Sequence, residues 1–201
     1  YGTKSAGIIT KYAMQDASFL MSKGVKAILV ACGTVSTTAL DRLKESFPVP
    51  ITGVVEPAAE AAAKATKNGR VGIIGTSATV RTGAFDRAVK RYDPEIVTFS
   101  QDCPLFVPLV ESGFVGRGCE ITRLTCEHYL HAFRDRKIDT LILGCTHYPI
   151  IADVISDVLP GVTLISSGAA AAEKLARDIG DSGESGNVSY YVSDDPGLFC
   201  S

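Results

Sequence analysis

Runs of Ile, Val and Leu alternate along this chain with segments whose apolar residues recur every three to four positions, so strand-like and helix-like patterns take turns from end to end. The periodicity predicts helices at about 5–22, 36–46, 57–68, 79–91, 119–135, 149–158 and 168–179, and strands at about 26–31, 51–54, 71–75, 96–99, 139–144, 162–165 and 188–192. Punctuation agrees with these bounds: "KNG" at 67–69 ends a helix, Pro57 and Pro149 sit where first-turn prolines belong, and "GDSGESG" at 180–186 reads as a loop. Strands that alternate with helices define an α/β fold with a mainly parallel sheet.

The pattern also repeats. "ITKYAMQDASFLMSKGVKAILVACGT", from Ile9, and "ITRLTCEHYLHAFRDRKIDTLILGCT", from Ile121, are each a helix, a polar turn, a buried strand, then Cys and a small polar loop. Cys32 and Cys145 therefore occupy equivalent places in two related halves. A strand and a helix precede the second unit but not the first, so the first half is expected to lack an opening strand, loop and helix of about 40 residues. The expected architecture is two pseudo-symmetric α/β halves, 1–54 plus 168–201 and 55–167, each a mainly parallel sheet flanked by helices, with the active site in the cleft between them.

Composition narrows the function. The 201 residues are 46% hydrophobic with a net charge of −2 and no tryptophan. No basic stripe is present to hold nucleic acid, and no apolar run approaches the roughly 20 residues that span a bilayer. Six cysteines, without a Cys-x-x-Cys pair or the regular spacing of a disulfide scaffold, fit a reducing cytoplasm. No metal site is expected: His128 and His131 lie at i and i+3, but Cys126 falls on another helix face and no second cluster has ligand spacing. "GIIGTSAT" lacks the Lys-Ser/Thr ending of a phosphate loop.

A single cysteine closing a buried strand is usually a small core hydrophobe. Two at repeat-equivalent strand ends are different, because ligands of parallel sheets bind beyond the carboxyl ends of the strands. Thr34 or Ser36 can cap a helix after Cys32, and Pro149 starts one after Cys145. Two halves facing across a cleft would bring one thiol to each side of a bound carbon, which suits proton removal on one face and delivery on the other. Cys103, Cys119, Cys126 and Cys200 lack such placement and are read as structural or incidental. His147, two residues after Cys145, can share a proton with that thiol. Glu56, before Pro57, is read as first-turn helix electrostatics.

"YGTKS", "ILVACGT", "ITGVVEP", "VGIIGTSATVRTGAF", "CPLFVPLVESG", "LILGCTHYP" and "YYVSDDP" resemble, in order and nearly end to end, the cofactor-independent glutamate racemases of bacteria. The resemblance implies that Cys32 and Cys145 are the acid/base thiols and that His147 and Glu111 assist the second. It implies that Tyr1 with Gly2, Gly33 with Thr34, and Thr146 with His147 contact the amino acid. It further implies no cofactor, glutamate as the small-molecule substrate, D-glutamate for peptidoglycan as the product's use, and a homodimer. The family's other assisting acid lies in an Asp-Ser-Gly loop that this chain does not contain. The chain departs from the family at Gly33, where Asn is usual, and at Ser166, where many members have Asp. Racemisation of aspartate or another small acid, and a non-catalytic module that only binds an amino acid, are the alternative functions for the same residues.

Overall fold

The computed structural model describes residues 1–180 and 186–194. The loop expected at 180–186 and Cys200 fall largely or wholly outside the described residues. Two parallel sheets form. In the first, β1 (Ile28–Val30) pairs with β2 (Ile51–Gly53). The second has the order β4-β3-β5-β6, from β3 (Arg70–Gly75), β4 (Val97–Asp102), β5 (Thr140–Leu143) and β6 (Thr163–Ser166). The central β3 and β5 are almost wholly buried, whereas the edge strands β4 and β6 are partly open, as the near-continuous apolar runs of the central pair require.

The first sheet packs under α1 (Ala6–Ser22), α2 (Gly33–Thr38) and α3 (Leu40–Ser46). Ser5 caps α1 by accepting a hydrogen bond from the Ile8 N–H, and Ile9, Ala13 and Ala17, four apart, form its buried stripe. The second sheet is covered on both faces. Val71, Ile73 and Ile142 point to α4 (Val55–Ala65) and α6 (Ala84–Tyr92), while Ile74, Leu141 and Leu143 point to α8 (Glu120–Arg136) and α9 (Ala152–Val158). That division follows the two-residue period of a strand. α10 (Ser167–Ile179) packs on α4 and also reaches β1, β2 and β6. Ser166 caps it by accepting from the Ala169 N–H, so serine here performs the capping that aspartate would provide.

Several expectations are corrected. The helix expected at 36–46 begins at Gly33, with Cys32 in the N-cap position, and is interrupted at Ala39. Neither Thr34 nor Ser36 caps it. The helix expected at 79–91 is two, α5 (Ser77–Thr82) and α6, broken where Gly83 turns left-handed at φ +62. α7 (Phe106–Glu111) falls where no element is expected; Pro108 enters its first turn, where a proline has no helical N–H bond to lose. No strand forms at 188–192. The Tyr191 ring instead packs edge-on against Phe19 of α1 at 5.0 Å, with the Lys23 ammonium over both rings. Among the described residues, no helix is long and apolar enough to cross a membrane.

Candidate active site

β1 ends at Val30 and β5 at Leu143, and two residues beyond each lies a cysteine. Cys32 is half-buried in extended backbone (φ −77°, ψ 122°), and its carbonyl accepts the Ser36 N–H as α2 begins. Cys145 is 8% exposed, and its carbonyl accepts from the Tyr148 N–H at 3.2 Å. The two strand ends meet: a Cβ placed on Gly33 would stand 2.0 Å from the Gly144 carbonyl oxygen. The residue after one thiol thus lies against the residue before the other.

Three threonines tie the halves together at this junction. The Thr34 hydroxyl lies 3.0 Å from that of Thr76 and 3.3 Å from that of Thr79, and Thr76 and Thr79 are 3.0 Å apart. Thr76 also caps α5. Gly2 packs on the Thr76 side chain, where a Cβ would come within 2.8 Å. The Tyr1 hydroxyl donates to Asp16 at 3.4 Å. Burial, then the Asp16 carboxylate, then Cys32, hold the Tyr1 phenol above its usual range, and Tyr1 lines the same cavity as Cys32. Thr76 and Thr79 are not singled out by the sequence, although "GTSAT" opens a helix straight after a buried strand.

On the second side, a short relay reaches Cys145. His147 Nε2 lies 3.1 Å from Glu111 Oε1, and His147 Nδ1 lies 3.8 Å from the Cys145 sulfur. An Nε2–H donated to Glu111 leaves Nδ1 as an acceptor facing the thiol. Burial pushes the Cys145 thiol above its ordinary range, a hydrogen bond from the His147 backbone N–H works against that rise, and the charges of Cys32 and Glu111 add to it.

The remaining sequence candidates separate clearly. Thr146 is exposed beside the relay. Cys103 and Cys126 are buried in the core, where burial raises the Cys126 thiol to about 12, and Cys119 is the N-cap residue of α8. His131 Nδ1 lies 2.8 Å from the His128 carbonyl on the open face of α8, away from buried Cys126. Glu56 pairs with Arg91 of α6.

An α/β fold with paired thiols at two strand ends defines a class. Residues 4–175 match the Asp/Glu/Hydantoin racemase family, and the chain belongs to that family of isomerases. It is 41% identical over 210 residues to the glutamate racemase of Geobacter metallireducens, a match covering 99% of this chain and 76% of that one. With the glutamate racemase of Aquifex aeolicus it shares 44% identity over 194 residues, covering 96% and 74% of the two chains. The crystal structure of glutamate racemase from Francisella tularensis in complex with D-glutamate superposes with a TM-score of 0.82 at 38% identity, covering 89% of this chain and 66% of that chain. This chain therefore spans about three quarters of those curated relatives and about two thirds of that solved one.

Proposed function

We propose that this chain carries the two-thiol site of a cofactor-independent racemase that interconverts L- and D-glutamate. The observation that carries the reading is the abutment of the Cys32 and Cys145 strand ends, one following β1 and one following β5; the lobes of this reading are residues 1–54 plus 168–201 and residues 55–167. A thiolate takes the α-proton from one face, leaving a carbanion, and the opposite thiol delivers its proton to the other face. One C–H bond breaks and one forms, and each sulfur ends in the protonation state the other began with. Carbanion formation needs a dry, pre-aimed site, which closure of the two lobes over the amino acid supplies. In a bacterial cytoplasm D-glutamate would feed peptidoglycan synthesis, and the active form would be a homodimer.

The test is a panel of L-amino acids followed by circular dichroism. Glutamate should lose optical activity and aspartate should not; faster loss with aspartate, or no loss with any substrate, contradicts the reading.

The relay makes a further expectation. Glu111→Gln leaves His147 without a carboxylate to fix its tautomer, so kcat/KM should fall by about tenfold or more. Because the enantiomers have equal energy in water, the fall must be the same from L and from D, which progress curves from both sides will check. An unchanged kcat/KM would remove Glu111 from the mechanism.

Turnover needs one thiolate and one thiol, so kcat/KM should trace a bell against pH. Its alkaline limb marks loss of the last thiol proton. Burial holds that proton on Cys145 to higher pH, which places the limb above the ordinary thiol value near 8.5. An alkaline limb at or below that value would contradict the assignment.

A further inference from the structure

Gly33 has no side chain, and the space for one is filled by the other half of the molecule. A Cβ at residue 33 would stand 2.0 Å from the Gly144 carbonyl oxygen, 3.2 Å from its carbonyl carbon and 3.8 Å from Thr79 Oγ1. The obstacle is backbone, which cannot rotate away as a side chain can. Gly144 is also fixed from behind: its N–H donates to the Ile74 carbonyl at 2.8 Å, and a Cβ on it would stand 2.7 Å from that carbonyl oxygen and 3.2 Å from the Phe85 ring. Gly33 is equally fixed, since Cys32 and Ser36 begin α2 and the Thr34 hydroxyl is held by Thr76 and Thr79. Neither side can yield alone, so a side chain at 33 must move the two strand ends apart.

We propose that Gly33 is a positioning residue that sets the distance between the Cys32 and Cys145 sulfurs, allowing a backbone-to-backbone closure that any side chain would hold open. At this position the resembled family usually has asparagine. The inference rests on the proposed pairing of the thiols across one substrate, but the spacing it describes can be measured without turnover.

The experiment uses the full chain carrying Cys119→Ser and Cys200→Ser, which leaves Cys32 and Cys145 beside the fully buried Cys103 and Cys126, and compares it with the same protein bearing Gly33→Ala or Gly33→Asn. Each is treated with bismaleimidoethane, and the linked peptide pair containing residues 32 and 145 is quantified by mass spectrometry. Circular dichroism melts confirm folding, and racemisation is assayed in parallel. The parent should link efficiently. Linkage should drop several-fold in Gly33→Ala and further in Gly33→Asn, while single-thiol labelling by N-ethylmaleimide is kept or increased. kcat should fall about 10- to 100-fold with a much smaller change in KM, because a displacement near 1 Å costs about that much in a positioned reaction. Equal linkage and equal kcat in all three proteins would overturn the proposal, as would a parent that does not link. If linkage falls in the variants but the parent racemises nothing, the spacing role stands and the racemase reading fails. If the parent racemises and linkage is unchanged, the reverse holds.

Discussion

Cys32→Ser and Cys145→Ser should each lower glutamate racemisation by at least about a hundredfold, the scale of a lost general acid or base. An alcohol is a far weaker acid than a thiol, so serine keeps the size of the side chain but neither ionises to take the α-proton nor readily surrenders one. The two sulfurs act as a unit, because each turnover uses both. The double variant should therefore be scarcely slower than either single one. The measurement is kcat/KM from both enantiomers, with far-UV circular dichroism showing that the fold is kept. Serine at Cys103, which is fully buried, should alter stability but leave the chemistry of the folded fraction intact. If one of the two proposed thiols tolerates serine within a few-fold, the pairing is wrong.

The second large effect concerns packing. Phe85→Ala should destabilise the chain by about 3–5 kcal/mol, the usual range for an aromatic removed from a filled core. Phe85 is 2% exposed in the cluster where α4 and α6 cover Ile73 and Ile142. Its ring edge also backs Gly144, only 3.2 Å from where a Cβ there would sit, so the cavity opens directly behind the turn to Cys145. Urea unfolding gives the stability change, and kcat measured well below the new midpoint should still fall. Leu124→Ala on α8 is the control: at 51% exposure it should change stability by no more than about 0.5 kcal/mol. A Phe85→Ala protein as stable as the parent would mean the core is not packed as described.

What was readable in advance follows from which interactions are local. β3 and β5 were plain as apolar runs because both faces of a central parallel strand are buried, and the helix-strand-Cys repeat aligned α1 with α8 and β1 with β5. Cys32, Cys145 and His147 stand out as candidates in the sequence because strand ends are where such sheets bind ligands. Glu111 was singled out only through the family resemblance; what places it is α7, a six-residue helix whose prolines disguise it, and its contact with His147 spans 36 residues of sequence. The threonine triangle joins Thr34 to residues 42 and 45 positions away, and no periodicity in either segment signals that meeting. At Gly33 the sequence showed only a missing amide, whereas the structure shows a contact that needs the absence. The segment 188–192 alternates like a strand, yet Val188 and Tyr190 stand exposed and the contact made there is that of Tyr191 with Phe19, which no periodicity signals.

The most direct test follows L-glutamate in deuterium oxide at early times, with the isotopic content of each enantiomer measured separately. Two facing thiols predict that newly formed D-glutamate carries deuterium at the α-carbon while unreacted L-glutamate still carries protium, since removal and delivery occur at different sulfurs. Protium carried into the D-product, or deuterium entering recovered L-glutamate as fast as D-glutamate appears, would mean that one group serves both faces and would contradict the paired site.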